Sequence, residues 1–278
     1  MNPRSRRTLH GALALLLLIA PSLALSDEPV SEITQYGYKV TGKIPQPREN
    51  FVQGLQIVDD HLYVSTGNYG ESKLLQYRLS DGKLIAGRDV DRRLFAEGLT
   101  VLEDRIYQLT WKSRLVLIYD RAKLQGLEYF RISGEGWGLT NNGSELIYSD
   151  GSYRLHYLSP TSKTISRSVS VTEAGRAVRM LNELEWVDGE IWANIWQQDR
   201  IIRIDPETGK VTGNINLAGL LPSAERIPGT DVLNGIAVNP RDNTIWVTGK
   251  RWPWIYQIEL VPQGIEPELS QAPAPNSM

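Results

Sequence analysis

The sequence predicts an all-β fold, a five-bladed β-propeller, and three observations predict it. A short phrase recurs five times, with spacings of 44, 40, 45 and 52 residues. Each copy is followed, across a turn, by a second short apolar run. Helical periodicity is nearly absent outside TEAGRAVRML (172–181). Four short strands per period of about 40 to 50 residues is the pattern of a propeller blade.

The five phrases are VQGLQI at 52, AEGLTV at 96, GWGLTN at 136, LNELEW at 181 and LNGIAV at 233. The runs that follow are HLYVSTGN, RIYQLTWK, ELIYSDGS, EIWANIWQ and TIWVTGKR. Between phrase and run stand turn-formers such as Asp59-Asp60, Asn141-Asn142-Gly143 and Asp188-Gly189, which is hairpin grammar. Third and fourth runs are separated by turns such as LSDGK and IDPETGK. The fifth period lacks its last strand. YGYKVTGKI (36–44), ahead of the first phrase, has no hairpin partner of its own, so it is expected to complete the last blade and close the ring.

Residues 1–26 read as a signal peptide. Arg4, Arg6 and Arg7 precede an apolar stretch too short to span a bilayer comfortably, and Ala24 and Ser26 suit a signal peptidase. Export to the periplasm or beyond is expected, by the general or the twin-arginine route. The propeller domain is placed at 27–262. The tail, 263–278, is rich in Pro, Ser and Gln and is expected to be disordered. Without the leader's three Arg, 27 bases face 32 acids, a net charge of −5, which argues against nucleic-acid binding. No second long apolar run follows, so no membrane association is expected after cleavage; nothing signals an oligomer, and a monomer is expected. Cysteine is absent. A domain of this size can bury enough core without disulfides.

In a propeller the first strand of each blade lines the axis, so equivalent positions form rings. The residue before the repeated glycine gives Gln53, Glu97, Trp137, Asn182 and Asn234. The end of the second strand gives Gly67, Trp111, Gly151, Trp196 and Lys250. The scaffold positions repeat because every blade needs the same turn and core; the ring positions vary. Polar groups gathered at one end of an axis and walled by Trp describe a binding pocket. Core packing for the indoles, backbone satisfaction for the amides and a Glu97–Lys250 salt bridge are the plain alternatives.

FVQGL, STGNYGES, FAEGLT, QLTWK, GEGWGLT, SDGS, LNELEW, IWANIW, VLNGIA and VTGKRWP, in that order from Tyr36 to Leu260, resemble the plant and bacterial type of glutaminyl-peptide cyclotransferase. That resemblance implies a five-bladed propeller that converts N-terminal Gln of peptides to pyroglutamate and releases ammonia. It implies Glu97 as the proton-transfer residue. It implies Phe51, Gln53, Phe95, Trp111, Trp137, Asn182, Glu183, Trp196 and Lys250 as site residues. Phe51, Phe95 and Glu183 are the members that the two rings do not contain.

Lys250 is read as polarising the γ-carbonyl or holding Glu97 ionised. No zinc set can be drawn from His61 and His156, which fall in different blades. No cofactor is expected; a structural calcium near the axis stays open. No Ser-His-Asp grouping is expected, because the repeat puts no His beside SDGS. Two other functions compete: a peptide-binding propeller without chemistry, and a metal-dependent lactonase using Glu97, Asn182 and Asn234.

Overall fold

The structure is a computed structural model and describes residues 32–266. The expected signal peptide, 1–26, therefore lies outside the described residues, as does the tail beyond Glu266. Apart from one 3-10 turn at Ser223–Glu225, the regular elements among the described residues are all strands.

Strand β1 covers Ile33–Pro45. Strands β2 to β5, at Val52–Val58, His61–Thr66, Lys73–Arg78 and Leu84–Asp89, form one antiparallel sheet in chain order. Strands β6 to β9 form the next, at Ala96–Leu102, Arg105–Thr110, Leu115–Asp120 and Gly126–Arg131. A third contains β10 to β13, at Leu139–Asn141, Leu146–Ser149, Arg154–Leu158 and Ile165–Ser170.

The 172–181 stretch is not helical. Thr172–Glu173 (β14) and Arg176–Ala177 (β15) pair as a hairpin. Ala174 and Gly175 between them have φ of 48° and 74°. Two consecutive left-handed residues make the tight turn that suits a hairpin and that a helix cannot contain.

Strands β16 to β19 are Leu181–Val187, Glu190–Ile195, Arg200–Ile204 and Val211–Asn216. Strands β20 to β22 are Leu233–Val238, Ile245–Gly249 and Trp254–Glu266. β1 pairs antiparallel with β22 as the fourth strand of that group. It also pairs in parallel with β19 through Thr34, Gln35 and Tyr36, so these eight strands share one sheet, ordered β16-β17-β18-β19-β1-β22-β21-β20. β22 runs four residues past the expected domain end at 262. Gln35, Thr34 and Ile33 of β1 pair with Gly264, Ile265 and Glu266 and keep that segment in the ladder despite its composition.

Each four-strand unit is built alike. Its first two strands are almost wholly buried; in the first three units the last strand is mostly exposed, as β5, β9 and β13 are, whereas β19, which pairs with β1, is half buried. The apolar residues collect between neighbouring units rather than within one. Tyr63 and Leu74 pack on Leu99 and Ile106; Leu109 and Val116 on Leu139 and Tyr148; Ile147 and Leu155 on Leu184 and Ile191. Trp192 and Ile201 pack on Ile236 and Val247, and Ala237 and Trp246 on Val52 and Leu55. Aliphatic and aromatic side chains alternate out of the pleat on both faces, so every sheet supplies half of two cores.

The repeated phrase falls at one kind of place. β2, β6, β16 and β20 each carry a register shift against the following strand, at Val52/Gly54, Ala96/Leu99, Leu181/Leu184 and Leu233/Ile236. In the third unit Trp137 N donates to Ser149 O (3.0 Å) while Ser149 N donates to Gly138 O (3.1 Å), so one residue again answers two. A bulge of this kind bends the strand and re-aims one side chain. The adjacent glycine lets neighbouring first strands meet backbone to backbone. Gly98 N donates to Trp137 O at 2.7 Å, and a Cβ on Gly98 would lie 2.5 Å from Leu139 N.

The fourth phrase has Glu183 where the others have Gly. Its two oxygens accept Leu55 N (3.1 Å) and Ile236 N (2.9 Å), tying β16 to β2 and β20. Glu185, on the same face two residues on, accepts Val238 N at 3.3 Å. Burial, then the neighbouring Glu185, pushes the Glu183 carboxyl well up. Burial pushes Glu185 up to about 8, against the amides of Val238 and Trp186. A carboxyl held protonated by the fold stabilises it fully below the unfolded-state value near 4.5, and that contribution is lost as pH rises towards the folded-state value. Glu185→Gln keeps the carbonyl acceptor and removes the titration. The wild type is therefore expected to lose more melting temperature than Glu185→Gln between pH 4.5 and 8, as read by thermal unfolding across that range; parallel curves would show that Glu185 is ionised throughout.

Candidate active site

A cleft of about 580 Å³ opens where the bulged first strands and the ends of the second strands come together. Phe51, Gln53, Phe95, Glu97, Trp111, Trp137, Asn182, Trp196 and Lys250 all line it. Nine of the ten expected site residues are thus in one place. Glu183 is not: its side chain points along the strand interface and is occupied by the two amides described above. Two larger grooves, of about 780 and 620 Å³, lie elsewhere, along outer strands and turns. Neither contains any of these nine residues.

Aromatic edges build the wall. Phe51 meets Phe95 edge-on at 6.2 Å, and Phe95 meets Trp111 at 5.6 Å. Trp137 meets Trp196 at 5.7 Å with the planes 87° apart. T-shaped pairs put the positive ring edge against the negative face, and each fixes the other's tilt. The small members of the second ring are explained by the same packing. Gly151, at φ 78°, lies beneath the Trp137 indole; a Cβ there would sit 2.7 Å from Trp137 Cε2. Gly67 lies likewise against the Phe95 ring. Gly151 thus makes room for an indole of its own unit, and Gly67 for the Phe95 ring of the following unit.

The polar members are deeply placed. Glu97 and Lys250 are each 5% exposed. Burial drives the Glu97 carboxyl well above the usual carboxylate range; the Lys250 ammonium pulls it down, and Glu135 pushes it further up. Burial drives Lys250 down, while Glu97 and then Asp231 hold it up. Its Nζ also stands 4.9 Å from the centroid of Phe51, a cation–π contact. Gln53 Oε1 accepts Asn234 Nδ2 at 3.2 Å, so Asn234 supports Gln53 rather than facing the cleft. Ser65 Oγ donates to the Glu97 backbone carbonyl and accepts Gln108 Nε2 at 2.8 Å, which anchors the bulge that carries Glu97.

Asn68, Met180, Gln197, Asp231 and Val232 also line the cleft and were not foreseen. Asn68 and Gln197 each follow a second-ring position, and Met180 precedes the fourth phrase. All three have positive φ, 85°, 66° and 65°. Left-handed non-glycine residues are costly and gather at functional sites. Glu135 stands behind the wall, where its Oε2 accepts both Trp111 Nε1 (2.6 Å) and Trp137 Nε1 (3.1 Å). The flanks of the ring positions were the available signal for all of these.

Among the described residues no group of three or more His, Asp or Glu side chains forms a metal-binding cluster. His61 lines one of the outer grooves. The SDGS turn differs from expectation. The β11–β12 register pairs Tyr148 with His156 and folds the turn back, so Asp150 Oδ2 is 3.1 Å from His156 Nε2, and Ser168 Oγ is 2.8 Å from Nδ1. This Ser-His-Asp contact is outside the cleft and has no cleft residue in it.

Comparison with known proteins meets this geometry. A family profile described as glutamine cyclotransferase matches residues 12–260. The chain belongs to the glutamine cyclotransferase family. A relative from Arabidopsis thaliana, glutaminyl-peptide cyclotransferase, is 40% identical over 228 residues, which cover 80% of this chain and 71% of that protein. The crystal structure of Myxococcus xanthus glutaminyl cyclase superposes with a TM-score of 0.78 at 34% identity, covering 84% of this chain and all of that one.

The cyclotransferase cleft depends on Gly151 staying small. Gly151→Ala is expected to displace the Trp137 indole and weaken its bond to Glu135. Near-ultraviolet circular dichroism should lose tryptophan intensity while the far-ultraviolet spectrum keeps its β signal; an unchanged near-ultraviolet spectrum would show that the indole does not rest on this glycine.

Proposed function

We propose that this cleft converts the N-terminal Gln of peptides to pyroglutamate with release of ammonia, on five blades arranged as a ring that β1 completes. The blade reading is supported by four-strand units meeting at five interfaces, one of which brings β20 and β21 back against β2 and β3. The observation that carries the chemistry is a single buried carboxylate, Glu97, in a cleft walled by three indoles and balanced by a buried ammonium, Lys250.

Cyclisation joins the α-nitrogen to the γ-amide carbon and breaks that carbon's bond to the amide nitrogen. The nucleophile is tethered, and a well-oriented intramolecular attack can be worth about 7–11 kcal/mol. Two proton movements remain. The attacking amine must lose a proton, and the departing nitrogen must gain one to leave as ammonia. One carboxylate can accept the first and return it. Burial makes Glu97 more basic than an ordinary carboxylate, which brings it closer to an amine whose own pKa is about 8.

Trp111, Trp137 and Trp196 hold the folded-back side chain and exclude water, which would otherwise hydrolyse the amide to glutamate. Lys250 polarises the γ-carbonyl oxygen as it gains charge. Asn182 and Gln53 orient the substrate amide. The reaction runs without a metal in this reading: His61 is remote, and His156 is bound to Asp150 and Ser168.

Incubation with a Gln-initiated peptide should give a product lighter by one ammonia on mass spectrometry, and this should persist in a chelator. Glu97→Gln is expected to cut turnover by about 10²- to 10⁴-fold with the fold intact. Near-normal ammonia release from that variant would remove the proton shuttle from the mechanism. Lys250→Met is expected to lower kcat more than it raises KM; a loss confined to KM would leave Lys250 as a binding group only.

A further inference from the structure

Glu135 occupies a place that the cyclisation mechanism does not use. It sits in the loop ahead of β10 and does not line the cleft. One of its oxygens, Oε2, accepts an indole N–H from each of two units: Trp111 at 2.6 Å and Trp137 at 3.1 Å. Each of these indoles starts an aromatic pair along the wall, Trp111 with Phe95 and Trp137 with Trp196. We propose that Glu135 is a positioning residue for the cyclisation: a single carboxylate oxygen locks both indoles at the angle that shapes the cleft.

A half-buried indole N–H wants an acceptor, and an ionised one binds it more tightly than a neutral one. Sharing one oxygen couples the two ring planes, so neither indole can turn without losing its bond. Asp150, paired with His156 at 3.1 Å, faces the same loop at Gly134, where a Cβ would lie 3.6 Å from its Oδ2. Lys250 and Glu135 act on Glu97; Glu97 and Asp231 act on Lys250; Lys112 Nζ stands 4.1 Å over the Trp111 ring. Glu135 therefore opposes Lys250. It favours the protonated form of Glu97, and so a stronger base once that proton is lost. A neutral acceptor would hold the indoles without doing this, and that separates the two roles.

The inference rests on the cyclase reading of the cleft. The experiment measures kcat and KM against pH for a Gln-initiated peptide with the wild type, Glu135→Gln and Glu135→Leu, with near-ultraviolet circular dichroism of each. In Glu135→Gln the acid limb of kcat/KM should move to lower pH by about half a unit or more, because a like charge has gone. Glu135→Leu should lose about tenfold or more in kcat, a larger loss than Glu135→Gln shows, with altered tryptophan dichroism. An acid limb in Glu135→Gln that stays in place or moves up overturns the electrostatic role. Wild-type kcat and dichroism in Glu135→Leu overturn the positioning role. If Glu135→Leu does not fold, the Glu135→Gln profile decides. A wild type that releases no ammonia brings down the cyclase reading and this inference together, whereas an active wild type matched by both variants brings down this inference alone.

Discussion

The backbone-to-backbone approach of neighbouring first strands is the constraint on which the rest depends. It requires an extra residue in each first strand and, beside it, no side chain where the next strand arrives. The bond from Gly98 N to Trp137 O shows the consequence. Strands this close leave no room for the bulged side chains among themselves, so Gln53, Glu97, Trp137 and Asn182 are delivered to one end, where the cleft lies. The fourth copy solves the same problem differently. Glu183 reaches across to the amides of Leu55 and Ile236 and bonds strands that elsewhere meet through glycine.

Burying Glu97 and Lys250 costs solvation that their mutual attraction only partly offsets. A chain selected for stability alone could use apolar residues of the same size. The pair is tolerated because the scaffold around it is rigid: cores on both sides of each sheet, and a bulge pinned by Ser65 and Gln108. The same low-dielectric surroundings that penalise the charges make each more responsive to its neighbours, so Lys250, Asp231 and Glu135 all count at a site with few charged groups.

The aromatic wall obeys a simple steric rule. A ring ahead of a first strand leans over the end of a second strand, which must then be glycine: Trp137 over Gly151 of its own unit, and Phe95 beside Gly67 of the preceding unit. Where the strand end itself carries the bulky group, at Trp111, Trp196 and Lys250, that group faces the cleft.

The repeated phrase and its turn residues determined the strands and the antiparallel order in which they pair, because strand pairing and tight turns obey local rules that survive in a single sequence. Glu97, the indoles and Lys250 were legible for that reason: equivalent repeat positions must come together. Glu183 entered with the resemblance, as the neighbour of Asn182, and in the fold its side chain turns to the amides of Leu55 and Ile236 instead of the cleft. A bulge decides where a side chain points, and no spacing records it. Glu135, Asp231 and Met180 flank ring positions but do not themselves repeat, so only their nearness to those positions pointed to them. The β14–β15 hairpin, the contact of Asp150 with His156 and the parallel seam between β1 and β19 belong to the same class. Each is set by which backbone edge or donor the folded chain brings near, a through-space matter on which the order of residues is silent.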